Sequence, residues 1–163
     1  MTNAALEFVE AATPEHFVVA GTLFREYAAT LGVNLCFQDF AAELQTLPTL
    51  YGPPSGSLLL VMRESAVVGC GAVRRLTGDV CEMKRLYLRH SERGSGAGRR
   101  VAQRLIEKAQ VLRYRAVRLD TLEAMTAARS LYRSMGFREI AAYYDNPLPN
   151  TIYMELALAE ASG

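Results

Sequence analysis

Glu92-Arg93-Gly94-Ser95-Gly96-Ala97-Gly98-Arg99-Arg100 joins a strand-like run, Val80 to Leu88, to an amphipathic segment that starts at Gly98. Glycines at 94, 96 and 98 alternate with small residues, and arginines stand on both sides. Glycine admits positive φ and puts no side chain between main-chain N–H groups and a ligand. The helix expected after it begins with unpaired N–H groups and the positive end of its dipole. A loop of this kind suits a phosphate-bearing molecule.

Three phosphate-binding patterns compete for it. A P-loop requires GxxxxGK[ST], and no such string occurs. A dinucleotide fingerprint requires GxGxxG. Gly94 and Gly96 begin that pattern, Arg99 breaks it, and Asp120 ends the next strand roughly where a ribose-binding acid would stand. The third pattern, [RQ]xxGx[GA], is matched by Arg93 to Gly98. In that pattern successive amides wrap a pyrophosphate.

Working outward, Leu6 to Glu10 alternates as a first strand. Thr13-Pro14-Glu15 opens a helix with Thr13 as N-cap and Pro14 at N1. Phe17, Ala20, Leu23, Phe24 and Tyr27 give it one apolar face, and Gly32 ends it. A second helix is expected over Gln38 to Leu47, stopped by Pro48, followed by a loop from Tyr51 to Gly56. Ser57 to Arg63 and Val67 to Arg75, joined by Glu64-Ser65, predict an antiparallel hairpin, and Val80 to Leu88 extends it to a meander. A helix over Gly98 to about Arg113 buries Val101, Ala102, Leu105, Ile106, Ala109 and Leu112. Ala116 to Leu122 is a strand, Met125 to Met135 a helix closed by Gly136, and Phe137 to Ala141 and Thr151 to Leu158 the last strands. The order β-α-α-β-β-β-α-β-α-β-β is a mixed α/β fold containing one parallel crossover. One domain over residues 1–163 is expected.

Formal net charge is +1, too little excess for a broad nucleic-acid surface. The basic residues crowd the stretch from Lys84 to Arg118 instead, which suits a compact anion. The three cysteines, Cys36, Cys70 and Cys81, form no CxxC and suggest neither a disulfide framework nor zinc. His16 and His90 have no metal-ligand spacing. With no signal-like N-terminus and no apolar run approaching a membrane span, a cytoplasmic setting is the expectation.

Glu82-Met83-Lys84-Arg85-Leu86-Tyr87-Leu88, the loop Arg93 to Gly98, and Ala128-Arg129-Ser130-Leu131-Tyr132-Arg133-Ser134-Met135-Gly136-Phe137 together resemble the GCN5-related N-acetyltransferase superfamily. The resemblance covers nearly the whole chain in element order and is strongest from Cys81 to Ile140. It implies a mixed, mostly antiparallel sheet with helices on both faces and a V-shaped splay between strands 4 and 5. It implies acetyl-CoA as cosubstrate and no metal. Leu86, Tyr87 and Leu88 would offer main-chain groups to the pantetheine arm. Arg93, Gly94, Ser95, Gly96, Ala97, Gly98 and Arg99 would hold the pyrophosphate. Tyr132 would donate the proton to the leaving thiolate, and a backbone N–H near Leu86 or Leu88 would hold the oxyanion. Many members carry Asn where this chain has Met125, and a thioether cannot supply amide hydrogen bonds. Asp120-Thr121-Leu122-Glu123-Ala124-Met125 resembles a subgroup of bacterial-type small-molecule acetyltransferases.

Glu82 on the central strand is the candidate general base, with Glu26, Glu123 and Glu139 as alternatives. Arg25, Tyr27, Arg74, Tyr143 and Tyr144 are candidates to line an acceptor pocket. Arginine with tyrosines suits a carboxylate-bearing amine such as an amino acid. Other readings are a protein N-terminus or lysine as acceptor, a non-catalytic acyl-CoA sensor, and a nicotinamide-binding protein. No nucleic-acid or membrane partner is expected. Ile152, Met154, Leu156 and Leu158 permit either a monomer or a homodimer.

Overall fold

The structure, a computed structural model, describes residues 5–31 and 39–159. Strand β1 (Leu6–Glu10) leads to helix α1 (Pro14–Leu31), whose start is doubly capped. Thr13 Oγ1 accepts from the His16 amide at 3.2 Å, and His16 Nδ1 accepts from the Ala12 and Thr13 amides at 3.0 and 3.3 Å. Histidine thus takes the place that Glu or Gln holds in a capping box. Gly32, Cys36 and Gln38 lie outside the described residues.

The second helix expected from the sequence is two short ones, α2 (Phe40–Gln45) and α3 (Leu47–Tyr51). The chain breaks at Thr46, with φ −128° and ψ 27°. Pro48 does not stop a helix here. It sits in the first turn of α3, where the missing N–H has no intrahelical acceptor to lose. Tyr51 therefore ends a helix rather than opening a loop, and its ring is fully buried against Phe24 at 5.8 Å.

Strands β2 (Ser57–Arg63), β3 (Ala66–Thr77) and β4 (Val80–Leu88) form the meander, and Glu64 takes the positive φ at the first turn. A 3₁₀ turn (His90–Glu92) and the glycine loop lead to α4 (Ala97–Val111). Then come β5 (Ala116–Leu122), α5 (Thr126–Ser134), β6 (Arg138–Ile140) and β7 (Thr151–Ala157). All the strands join one sheet in the order β1-β2-β3-β4-β5-β7-β6. Every pairing is antiparallel except β4 with β5.

The apolar residues divide into two layers, one on each face of this sheet. Under α4 lie Val61, Val73, Cys81, Met83, Val117 and Leu119, packed on Val101, Leu105 and Ala109. Under α1 and α3 lie Leu58, Leu60, Cys70, Ala72 and Tyr87, packed on Leu23, Phe24 and Tyr51. Cys70 and Cys81 are buried, and burial pushes both thiols up, Cys81 to about 12, so neither is a ready nucleophile.

Two features of β4 set up the site. The parallel pairing runs only through Val80↔Ala116, Cys81↔Val117 and Glu82↔Arg118, after which the strands part. Opposite Gly71, between Cys70↔Tyr87 and Ala72↔Lys84, β4 carries the extra residue of a bulge, Arg85 and Leu86. Arg85 has φ +59°, uncommon for a residue with a side chain. A buried bidentate ion pair holds it there: Arg85 Nε and Nη2 donate to the Glu43 carboxylate at 2.9 and 2.8 Å. Tyr51 Oη adds a hydrogen bond to Glu43 at 3.0 Å, and the guanidinium lies over Phe40. Desolvation raises the Glu43 pKa, but Arg85 outweighs it and the net shift is downward.

Candidate active site

Where β4 and β5 part, a cavity of about 790 Å³ opens. This is within the usual range for small-molecule sites. Leu86, Tyr87 and Leu88 line it from β4, and Leu119, Asp120, Thr121 and Leu122 from β5. Arg93, Gly94, Gly96, Gly98 and Arg99 line it from the glycine loop and the start of α4. Met125, Ala128, Leu131 and Tyr132 line it from α5, and Tyr27 from α1.

The glycine loop has the backbone that its composition predicts. Gly94 and Gly96 have φ of +78° and +84°, and a Cβ built on either would meet nothing within 4 Å, so the loop's outer side is open. Glu92 pins the loop's start, its buried carboxylate taking Nε and Nη2 of Arg63 at 3.0 and 2.8 Å. Arg93 Nε donates to the Leu88 carbonyl at 3.2 Å, and Arg99 Nη2 donates to Ser134 Oγ at 2.6 Å, tying α4 to α5. The side chains of Ser95 and Ala97 are turned away from the cavity, so what these two residues can offer a ligand is main chain. Ser95 Oγ donates to the Glu92 carbonyl at 2.6 Å, and the Ala97 methyl packs in the core.

Tyr132 lies on the inward face of α5, its ring 5.6 Å from Phe137. Burial pushes its phenol well above the ordinary range, so it remains protonated at any physiological pH. The position expected to hold Asn is a half-buried thioether: Met125 Sδ accepts a long contact from Thr121 Oγ1 at 3.7 Å.

The candidate bases are placed differently from one another. Glu82 is buried but does not line the cavity. Its Oε1 takes Nη2 of Arg74 at 3.1 Å and stands 3.8 Å from Lys84 Nζ, and its Oε2 accepts from Tyr143 Oη at 2.6 Å. Glu26 is occupied by Arg89 at 2.7 Å and Tyr87 at 3.3 Å, and Glu139 by Arg133 at 3.5 Å on the surface. Glu123 borders a separate shallow pocket beside Pro149.

The carboxylate on the cavity wall is Asp120, which the sequence offers only as a ribose ligand. The pairing register was the signal that could have found it. Glu82 pairs with Arg118 at the apex of the opening, and two residues further along each strand, on the same face, stand Lys84 and Asp120. The segment after β6 closes over both rungs. Tyr143 donates to Glu82 and stacks under the Arg118 guanidinium, while Tyr144 Oη donates to Asp120 Oδ2 at 2.6 Å. Asn146 Nδ2 donates to Tyr144 Oη at 3.0 Å. Of the expected acceptor residues, Tyr27 reaches the cavity wall, Arg74 is engaged with Glu82 behind it, and Arg25 lies away from it. Among the described residues no group of three or more His, Cys, Asp or Glu side chains could hold a metal ion, and no helix is long and apolar enough to cross a membrane.

Residues 22–137 match the family model for the acetyltransferase (GNAT) family. An N-acetyltransferase of Schizosaccharomyces pombe is 39% identical over 140 residues, covering 85% of this chain and 86% of that protein. The N-acetylaspartate synthetase of Rattus norvegicus is 33% identical over 147 residues, covering 88% of this chain and 48% of that longer protein. The crystal structure of an acetyltransferase from Streptococcus agalactiae superposes with a TM-score of 0.77 at 20% identity, covering 94% of this chain and 98% of that one. The shared fold, the splayed strands and these relatives agree: the chain belongs to the acetyltransferase (GNAT) family and is an N-acetyltransferase.

Proposed function

We propose that the protein transfers an acetyl group from acetyl-CoA directly to the primary amine of a small molecule such as an amino acid, within a ternary complex. The observation that carries this reading is the opening between β4 and β5, with the glycine loop at one end and Tyr132 in its wall. A related fold from Bacillus subtilis was crystallised in complex with CoA, at 16% identity and a TM-score of 0.67. The names of the N-acetylaspartate synthetases support an amino-acid acceptor.

In this reading the amides from Gly94 to Arg99 and the guanidinium groups of Arg93 and Arg99 bind the pyrophosphate. Leu86 to Leu88, which lie beyond the last rung that β4 shares with β5, hold the pantetheine arm as a neighbouring strand would. The acceptor enters from the side covered by α1 and the Tyr143–Asn146 segment.

An ammonium has no lone pair and an ordinary pKa of about 10, so the acceptor first loses one proton to solvent and attacks as the neutral amine. Full transfer of a further proton to a carboxylate of ordinary pKa about 4 before attack is steeply uphill. As the C–N bond forms, positive charge on nitrogen makes its proton far more acidic, and a carboxylate at hydrogen-bond distance takes it. We assign that part to Asp120, which lines the cavity. Glu82, held by Arg74 and Tyr143 behind the wall, supports Lys84 and the closing segment. A main-chain N–H at Leu86 or Leu88 stabilises the oxyanion. Collapse breaks the C–S bond, and the Tyr132 hydroxyl hydrogen-bonds to the departing CoA thiolate and passes it a proton. The proton taken by Asp120 is returned to the phenolate through solvent.

Free-CoA release on a panel of amino acids, polyamines and aminoglycosides tests the proposal. Release with amino acids, reduced at least a hundredfold in Tyr132→Phe, is the expected result. Acetyl-CoA binding with no release on any amine, unchanged in Tyr132→Phe, would mark an acyl-CoA sensor instead.

A further inference from the structure

We infer that Lys84 and Asp120 form a receptor for an amino acid zwitterion, with Lys84 taking the acceptor's carboxylate while Asp120 takes its amine. The inference rests on the transferase reading above and names the acceptor class: amines that carry a carboxylate a short distance from the nitrogen.

The register fixes the geometry. Glu82↔Arg118 is the last paired rung of β4 with β5, and Lys84 and Asp120 are the next residues of each strand on that same face. They lie on opposite arms of the opening, and both line the cavity. Lys84 stands immediately before the bulge that turns the rest of β4 outward. Opposite charges on the two arms match the opposite charges at the two ends of an amino acid.

The surroundings make Lys84 a recognition group rather than a solvated one. Its side chain is only 6% exposed, and Glu82 Oε1, 3.8 Å away, steadies the ammonium from behind. Desolvation pulls its pKa down, with Glu82 and Asp120 opposing that pull and Arg85 and Arg74 reinforcing it. A carboxylate entering the cavity therefore meets a poorly hydrated cation, where charge-assisted contacts are strong and an uncharged amide is a poor substitute. An acceptor that lacks the carboxylate forgoes this charge-assisted contact, which Glu82 behind the ammonium does not replace on the cavity side.

The test compares each of the twenty amino acids with its carboxamide at saturating acetyl-CoA, following CoA release in wild type, Lys84→Met and Lys84→Arg. The acid-to-amide ratio of kcat/KM does not depend on how much of a variant is folded. The expected ratio is at least tenfold in the wild type for the best acceptor, near unity in Lys84→Met, and restored in part in Lys84→Arg. Wild-type turnover of amides as fast as acids, or an undiminished ratio in Lys84→Met, overturns the receptor. Calorimetric titration of the same acids into CoA-saturated protein separates the two claims. Carboxylate binding that disappears in Lys84→Met, without turnover of any amine, overturns the transferase reading and keeps the receptor. Carboxylate binding indifferent to Lys84 overturns the receptor alone.

Discussion

Toward α4, β4 presents Cys81 and Met83 to Val101, Leu105 and Ala109, in a buried apolar layer. Toward α1 and the Tyr143–Asn146 segment the same strand presents Glu82 and Lys84, with Arg74, Arg85 and Glu43 close by. Burying apolar area on the first face contributes about 25 cal/mol per Å² and requires no particular direction of contact. Burying ions on the second face gives back in desolvation much of what pairing provides, so its net contribution to stability is small. What the polar face supplies is direction. Each charge is held at a stated atom of a stated neighbour beside the cavity. Both faces of the sheet carry an apolar core, and it is along β4 that the work divides, Cys81 and Met83 joining the layer under α4 while Glu82 and Lys84 set charges beside the cavity.

Substitutions can break that division. The largest effect is expected in turnover. Asp120→Asn and Tyr132→Phe should each lower kcat by about a hundredfold or more, the usual cost of losing a general base or acid. The urea midpoint should hardly move, and Leu105→Ala on the other face should reverse the pattern, costing about 2–5 kcal/mol of stability. Arg85→Met comes next. It strands a buried carboxylate and should cost about 3–5 kcal/mol, whereas adding Glu43→Met should recover most of that loss. If the double variant is as unstable as the single one, the pair contributes packing rather than charge, and the contrast between faces weakens.

Acid provides a gentler probe. The folded pKa of Glu43 is lowered, so the stability it contributes is complete above the ordinary carboxylate range and disappears as pH falls through the lowered value. In Glu43→Gln the urea midpoint should start lower at neutral pH and fall less steeply with acid than in the wild type. The smallest effect is expected at Met125→Asn. Restoring an amide where the thioether lines the cavity should add about one hydrogen bond to the bound cosubstrate. That is about 1 kcal/mol, seen as a roughly fivefold lower KM for acetyl-CoA with kcat unchanged.

Element order and the parallel crossover could be read from the sequence because periodicity and glycine punctuation report local conformation. The span Ala116–Leu122 matched residue for residue for that reason. Pro48 misled because proline ends one helix and begins another with equal ease, and only Thr46, carrying no strong signal, marks the break. The glycine loop was legible for its φ angles, but not for where Ser95 and Ala97 direct their side chains. Among the carboxylates, the sequence pointed to Glu82 as the base, with Glu26, Glu123 and Glu139 behind it, and offered Asp120 only as a ribose ligand. The register of β4 on β5, a long-range fact, makes Asp120 the wall of a cavity and Glu82 its support. The bulge at Arg85 was invisible for a similar reason, since the partner of its side chain is Glu43, forty-two positions away along the chain.

The position of β7 bears on how the protein is made. β5 pairs with only three residues of β4, whereas it pairs with β7 along its whole length, from Ala116↔Ala157 to Leu122↔Thr151. The strand that carries Asp120 thus receives most of its ladder from residues that leave the ribosome about thirty positions later. A nascent chain halted before Thr151 has its glycine loop, α4 and the β1–β4 meander, but β5 has an exposed edge and an apolar flank with nothing beside it. An unpaired edge in that interval is an aggregation hazard. Holdase chaperones that recognise unpaired strands should engage the chain there and release it once Ala157 has emerged.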